Sequence, residues 1–426
     1  MHSEKNIFSN EDKKFMNTAY MLAEKGRGTT SPNPLVGAVI VKDGKMISSG
    51  YHKMAGSPHA EINAINAAKT IPEGSKIYVT LEPCSFYGKT GPCTEAIIKN
   101  RFSEVIISAL DPNPKVNGQG ARILEEAGIM VKTGLMEEKA KRQNEIFFKH
   151  IIKKRPFVCA KIASSLDGKL AASSGDSKWI TSMASRSMVQ NIRFEYGCIL
   201  TGINTILKDD PLLFPRKDIS RKINLDTLKD LSHILISRKI VLNDKFEKSQ
   251  KNIYEYSRFT RAILDSNLSL DLKSGIVKTA KFVKTILFAS EEALQSKKNA
   301  GKIGKLILSG IELAVAKKSE DYTRIDSIKK SPAMLDLKEV MAYLYTNHEI
   351  TSILVEAGPT LLSSFLKEEL IDKFLIFMAP KIIGGESSYD MFSGLNIKDM
   401  SEVRSLKFSK IRKVGPDLLL EVYPSN

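Results

Sequence analysis

The 426-residue chain carries 64 Lys and Arg against 48 Asp and Glu, a formal net charge of +16, with 42% hydrophobic and 26% charged residues. That composition excludes a disordered or fibrous chain and suits two globular domains, each with its own core. No run of about 18 apolar residues occurs and Met1 to Lys5 lacks an apolar signal region, so a cytoplasmic protein with no membrane span is expected.

The positive charge does not single out nucleic acid as a partner, because Lys is spread along the chain and no compact Arg-rich tract with interleaved aromatics is present. A lysine-biased composition or an anionic small substrate accounts for it. Among the four cysteines, Cys159 and Cys198 lie in apolar strand-like runs and are expected as buried free thiols. A reducing compartment suits them and any thiolate metal ligands.

In chain order, Ser9 to Asp12 looks like a helix start, and Phe15, Met16, Ala19 and Leu22 continue it at helical spacing to about residue 25. Leu35 to Val41 and Lys45 to Ser49 flank Asp43-Gly44, a hairpin signal. Pro32-Asn33-Pro34 is a rigid turn that either presents Asn33 to a ligand or is purely structural. Ser57 is placed as the N-cap of a helix with Pro58 at its first position, which puts His59 and Glu61 in the first turn.

Strands at about 76 to 81, 105 to 110 and 129 to 133 alternate with helices at about 93 to 100 and 119 to 127, a layered α/β pattern. Asp111-Pro112-Asn113-Pro114 follows a strand directly, where open α/β sheets place ligand contacts. One helix from about 136 to 152 then ends at Lys153 to Pro156. This boundary divides the chain into domains 1–153 and 154–426.

His59, Cys84 and Cys93 supply one imidazole and two thiols, and Glu61 adds a carboxylate two residues from the histidine. Three ligands of this kind suit a catalytic zinc with its fourth position open to water, and Glu61 is the natural proton shuttle. This is the donor set of a base deaminase. Eight residues separate Cys84 from Cys93, however, unlike the Pro-Cys-x-x-Cys spacing of nucleoside and nucleic-acid deaminases. A purely structural zinc would need a fourth protein ligand, and the first domain has no further cysteine.

The second domain restarts with a strand from Phe157 to Ala163, a helix after Trp179 running to about Tyr196, and a strand from Cys198 to Gly202. Asn204-Thr205 and Asp209-Asp210-Pro211 are expected in an irregular segment. Further strands are expected at 233 to 237, 284 to 289, 305 to 308, 352 to 356 and 373 to 379. Residues about 240 to 330, rich in lysine and weakly patterned, are expected to form an enlarged peripheral region. Val355 to Thr360 reads as strand, tight Gly-Pro turn and helix start, either structural or a phosphate-binding helix N-terminus.

Taken together, the two halves resemble the bifunctional bacterial riboflavin-biosynthesis deaminase-reductases over nearly the whole chain outside about 240 to 330. The likeness rests on Asn33-Pro34-x-Val36-Gly37, Gly56-x-x-His59-Ala60-Glu61, Glu82-Pro83-Cys84 with Lys89-Thr90 and Cys93, Asp111 to Pro114 and Gly118-x-Gly120. In the second half it rests on Lys161-x-Ala163-x-Ser165-Leu166-Asp167-Gly168, Trp179-Ile180-Thr181, Asp209-Asp210-Pro211 with Arg216, Glu356 to Thr360, and Ala379-Pro380-Lys381.

The resemblance implies a cytidine-deaminase-like three-layer α/β/α domain followed by a dihydrofolate-reductase-like α/β domain, using Zn2+ and NADPH. It implies hydrolytic deamination of a diaminopyrimidinone ribosylamine 5′-phosphate and then reduction of the ribosyl group. His59, Cys84 and Cys93 match the metal ligands and Glu61 the catalytic residue; Asn33, His52, Lys89, Asp111 and Asn113 match deaminase substrate contacts. Ala163, Trp179, Thr205, Asp209 and the run Gly358, Pro359, Thr360, Leu361, Leu362, Ser363 and Ser364 match cofactor contacts. Ser177, Arg193, Leu213, Arg216 and Glu356 match reductase substrate contacts, and Lys161, Asp209 and Glu356 are the candidate proton donors.

The implied partners are small phosphorylated pyrimidines, with no nucleic acid or membrane, and a homo-oligomer is expected. Two departures stand out. Phe214-Pro215 replaces the family's Thr before Arg216, and Ser237-Arg238 stands where an Asp followed by Ser or Thr is expected at a strand end; Arg238 either is a solvated surface arginine or pairs with the cofactor's 2′-phosphate. The rival function is a tRNA or single-strand nucleic-acid deaminase with an accessory domain, which leaves the second half unemployed.

Overall fold

In the computed structural model, which describes residues 8–87, 91–114, 116–215, 259–319 and 334–425, the chain divides into two units, Met1–Phe157 and Val158–Asn426. The first begins with α1 (Asn10–Ala23), whose capping box pairs Ser9 with Asp12. β1 (Gly37–Lys42) and β2 (Lys45–Tyr51) form an antiparallel hairpin. It turns at Asp43 and Gly44, whose φ angles of 47° and 70° are those a two-residue hairpin requires.

β3 (Lys76–Val79), β4 (Glu104–Ile107) and β5 (Met130–Thr133) complete a five-stranded sheet in the order β2-β1-β3-β4-β5, parallel from β3 to β5. Strand alternation sends Ala38, Ile40, Ile77, Val79, Val105 and Ile107 to one face, against α2 (Ala60–Ala67), α3 (Cys93–Lys99) and α4 (Gln119–Glu126). Val39, Val41, Tyr78 and Ile106 face the other way, against α1, α5 (Glu137–Gln143) and α6 (Glu145–Lys153). The unit is thus three layers, helix on sheet on helix.

Two local expectations are corrected. α2 begins at Ala60 with His59 in the N-cap position, not Ser57, because the Ser57 hydroxyl is used within its own turn, bonded to Met54 O at 2.7 Å. The single helix expected at 136 to 152 is two, broken at Asn144. Asn144 is buried; its side chain accepts from Leu35 N at 2.7 Å and donates to Leu35 O at 2.9 Å, pairing the backbone ahead of β1 like an extra strand residue.

The second unit is built on β6 (Phe157–Ser164), β8 (Cys198–Gly202), β9 (Thr260–Leu264), β10 (Lys284–Ala289), β11 (Ile311–Val315), β12 (Ser352–Val355), β13 (Lys373–Met378), β15 (Leu406–Val414) and β16 (Asp417–Pro424). Their order is β11-β10-β9-β8-β12-β6-β13-β16-β15, and β7 (Lys169–Ala171) with β14 (Tyr389–Asp390) forms a separate pair. β8 to β11 are parallel neighbours and β16 runs antiparallel to β13 and β15. Most of these strands are buried on both faces, and so their sequences are near-continuous apolar runs.

The expected peripheral region from 240 to 330 is corrected on its described part: Thr260–Leu264, Lys284–Ala289 and Ile311–Val315 are three adjacent strands of the main sheet. The expected strand at 305 to 308 is the end of a helix, Ala300–Leu308. Ile303 and Leu306 face the core at helical spacing, and Ile307 and Leu308 are exposed. Asn204, Thr205 and Asp209, expected in irregular chain, lie in α8 (Ile203–Asp209). The expected strand at 233 to 237, Lys89, Arg216 and Arg238 lie outside the described residues.

Candidate active sites

The deaminase candidates converge because three elements begin or end at one place. His59 precedes α2, Cys84 follows β3, and Cys93 opens α3. A Cβ at Gly50 would lie 2.4 Å from Ala64 N and 2.5 Å from Ala60 O, so α2 seats directly on the backbone of β2 and fixes where His59 and Glu61 stand. His59 Nδ1 lies 3.4 Å from Cys84 Sγ and 3.4 Å from Cys93 Sγ. Tetrahedral zinc with ordinary Zn–S and Zn–N bonds sets its nitrogen and sulfur ligands about 3.5 Å apart, so the donor set fits that metal.

Of the two thiols, Cys84 is the one favoured as the thiolate, while the Cys84 thiolate and burial push Cys93 the other way. The Cys93 thiol and then His59 push the Cys84 thiol well below its ordinary value, against the effect of burial. Cys93 N, at the start of α3, donates to Cys84 Sγ across 3.4 Å, and Cys84 in turn raises His59. Glu61 is buried within reach of Cys93, and burial followed by the charge of Cys84 pushes its carboxyl up to about 7. A carboxyl in that range can both take and give a proton near neutral pH.

Around the triad, the His52 ring meets that of His59 edge-on at 5.4 Å. His52 Nδ1 bonds Pro58 O at 3.2 Å, so this nitrogen carries the proton, and burial lowers the ring's tendency to take a second one. Its Nε2 then accepts from Asn33 Nδ2 at 3.2 Å, which leaves the Asn33 amide oxygen as an acceptor. Asp111 and Asn113 follow β4, and Asn113 N donates to Asp111 Oδ1 at 2.8 Å. Burial raises the Asp111 carboxyl to about 6.

In the second unit the polar centre is Glu356, just beyond β12. Arg193, at the end of α7 (Met183–Arg193), donates to it from Nε at 2.6 Å and Nη2 at 3.0 Å, and Lys161 Nζ on β6 lies 3.0 Å away. Burial alone would raise this carboxyl, but Arg193 and Lys161 outweigh it and hold Glu356 well below the usual carboxylate range. Glu356 is therefore an ionised acceptor rather than a proton donor.

The remaining candidates divide by what they can offer. Gly358 is the N-cap and Pro359 the first residue of the helix Pro359–Lys367. Leu361, Leu362, Ser363 and Ser364 are buried, and Ser363 Oγ is taken by Ser393 N at 2.8 Å, so this turn can present backbone amides at its start but not those side chains. Leu213 is buried with φ 48°, and only its backbone can meet a ligand. Trp179 is 63% exposed with the Arg186 guanidinium 4.4 Å over its ring, and Asp209 is exposed at the end of α8. Ala163 lies in β6 and Ser177 accepts from Ile180 N through its backbone oxygen.

Sequence reasoning missed three features. Asp265-Ser266, an Asp followed by Ser directly after a strand, ends β9, whereas Ser237-Arg238 lies outside the described residues. Arg261 on β9 is fully buried and donates to Leu212 O at 2.9 Å, Thr279 Oγ1 at 2.7 Å and Thr285 Oγ1 at 2.6 Å, so it fixes the backbone beside Leu213. Glu82 was noted only as part of a motif, although its carboxylate accepts four backbone N–H groups.

Known proteins match both halves. Residues 9–109 fit the model of the cytidine and deoxycytidylate deaminase zinc-binding region, and residues 156–420 fit the RibD C-terminal domain. The riboflavin biosynthesis protein RibD of Aquifex aeolicus is 36% identical over 96% of this chain and 97% of its own length. The Escherichia coli RibD is 33% identical over 97% of this chain and 99% of its own length. The chain belongs to the RibD family. A solved Acinetobacter baumannii RibD superposes with a TM-score of 0.76 at 32% identity, covering 98% of this chain and 99% of that one. A Thermotoga maritima structure described as a diaminohydroxyphosphoribosylaminopyrimidine deaminase/5-amino-6-(5-phosphoribosylamino)uracil reductase gives 0.73 at 32%, covering 97% and 99%. As a family member the chain is a bifunctional enzyme of riboflavin biosynthesis, a zinc-dependent deaminase joined to an NADPH-dependent reductase.

Proposed function

We propose that the first unit deaminates a 2,5-diamino-6-ribosylamino-pyrimidinone 5′-phosphate and that the second reduces the resulting 5-amino-6-(5-phosphoribosylamino)uracil to its ribitylamino form. The observation that carries this reading is the His59–Cys84–Cys93 cluster, whose ligand atoms lie within 4.8 Å of one another beside the buried Glu61. Zinc held by these three side chains would supply the Lewis acidity that makes water a nucleophile near neutral pH. Glu61 takes the proton from that water and passes protons to the ring nitrogen and the leaving amine, so ammonia departs and a carbonyl remains. Asn33 and His52 orient the ring, and Asp111, Asn113 and Lys89 hold the ribose and phosphate.

NADPH, when bound in the second unit, would supply the hydride for reduction of the ribosyl group. Ala163, Trp179, Thr205, Asp209 and the backbone N–H groups of Gly358, Thr360 and Leu361 hold that cofactor, the helix start favouring its phosphates. Ser177, Arg193, Leu213, Arg216 and Glu356 hold the substrate. Glu356 is committed to two cations, so Lys161 and Asp209 remain as proton donors.

Purified protein is expected to bind about one zinc per chain, to release ammonia from the diaminopyrimidinone, and to oxidise NADPH only after that step or with the deaminated substrate supplied. Full deamination by reduced, zinc-free protein would remove the metal assignment. Turnover of tRNA or single-stranded nucleic acid in place of the pyrimidine would favour the rival reading.

Small phosphorylated pyrimidines are the partners on this reading, and the dispersed lysines support neither a nucleic-acid nor a membrane surface. Among the described residues no helix is long and apolar enough to cross a membrane, and we assign the protein to the cytoplasm. Among the described residues β15 is an edge strand, with Leu406, Phe408 and Ile411 all exposed. Such an edge calls for cover, which supports a homo-oligomer. Light scattering should return a multiple of the chain mass, reduced in Phe408→Glu; a monomer throughout would end that part of the proposal.

A further inference from the structure

Glu82 follows β3 and precedes the proposed zinc ligand Cys84 by two residues, yet it takes no part in the ligand cluster. It is 4% exposed and, among the described residues, no cationic side chain bonds it. Backbone amides surround it instead. Oε2 accepts from Asp111 N at 3.0 Å and Gly118 N at 2.9 Å, and Oε1 accepts from Gly120 N at 2.9 Å and Ala121 N at 3.2 Å. One oxygen thus closes both ends of the Asp111–Gly118 loop, and the other holds the first turn of α4.

The fit is close on every side. Glu82 N donates to Ala109 O at 3.0 Å, tying it to the chain after β4. A Cβ at Gly120 would come 2.3 Å from Pro83 O and 3.1 Å from Glu82 Oε1, so the start of α4 reaches the carboxylate only through glycine. The loop so held carries Asp111 and Asn113, which bond each other. Each carboxylate oxygen accepts two N–H groups, a pattern that an amide cannot reproduce: whichever way a glutamine is turned, its NH2 faces two donors.

We propose that Glu82 is a positioning residue of the deaminase, setting the Asp111–Gly118 loop against the zinc-ligand segment so that Asp111 and Asn113 meet the ribosyl phosphate part of the substrate. The inference rests on the assignment of Asp111 and Asn113 to substrate binding. It places the effect of Glu82 on substrate affinity rather than on the metal or the proton transfers.

The test uses full-length zinc-loaded protein and the diaminopyrimidinone ribosylamine 5′-phosphate. Glu82→Gln should raise its KM roughly 10- to 100-fold, the loss of two charge-assisted hydrogen bonds, with kcat little changed, zinc content unchanged and reduction of the deaminated substrate intact. Glu82→Asp, which keeps the charge, should recover part of the lost affinity. An unchanged KM, or loss of zinc in place of a KM effect, would overturn the proposal. So would failure of both variants to fold, which would make Glu82 a folding residue. Asn113→Ala separates the two levels: if it leaves KM unchanged, the substrate role of the loop is wrong; if it raises KM and Glu82→Gln does not, only the role of Glu82 falls.

Discussion

Glu61→Gln protein is expected to keep its zinc, to lose ammonia release from the diaminopyrimidinone by at least about 10²- to 10⁴-fold, and to oxidise NADPH normally when given the deaminated substrate. The substitution preserves the size of a side chain that is only 3% exposed, so the packing of α2 on β2 is kept. None of the three ligand atoms is touched. What disappears is the buried carboxyl beside the cluster that can carry protons from water to ring nitrogen and amine, and because one group serves several transfers the loss can exceed that of a single step. Reduction survives because Lys161, Arg193 and Glu356 all belong to the other unit. Metal analysis, ammonia detection and NADPH absorbance on one preparation decide it: retained deamination removes Glu61 from the mechanism, and loss of both activities in folded, zinc-loaded protein contradicts independent sites.

The metal cluster was legible because its chemistry needs few residue types at element ends, and His59, Cys84 and Cys93 supply them with no competing set nearby. Its local frame was less so. Ser57 has the composition of an N-cap, but His59 occupies that place with its ring turned to the thiols, and only the fold shows the two sulfurs that hold it there. Asn144 interrupts what looks like a continuous helix because its amide pairs with Leu35, more than a hundred positions away in the chain.

The second half was harder for a related reason. Strands buried on both faces carry no alternation, and β9 and β11 are five residues long, too short to stand out from the lysine-rich composition averaged over 240 to 330. Once β9 is placed, Asp265-Ser266 falls at its end, an Asp-Ser pair that the sequence reading had passed over. The partners of Glu82 were illegible for another reason: its carboxylate binds backbone N–H groups, which nearly every residue possesses, so no side-chain pattern announces them.

Glu356→Gln should abolish most reduction, destabilise the second unit and leave deamination untouched. Glu356 accepts two bonds from Arg193 and lies 3.0 Å from Lys161 Nζ, and its own carbonyl accepts from Thr201 Oγ1 at 2.7 Å. Removing the charge leaves two largely buried cations facing a neutral amide, and breaking a buried pair in this way costs about 3–5 kcal/mol. The sign with pH follows from the folded-state shift. Burial opposes ionisation, but the two cations depress the carboxyl below its unfolded value, so its stabilisation is complete above about pH 4.3 and declines as acid approaches the folded value. The gap in thermal midpoint between the native protein and Glu356→Gln should therefore be widest near neutral pH and narrow below pH 4.3, while ammonia release stays at the native rate. A gap that stays constant into acid would mean that shape rather than charge holds Glu356 in place, and full NADPH oxidation by the variant would remove it from the reductase site.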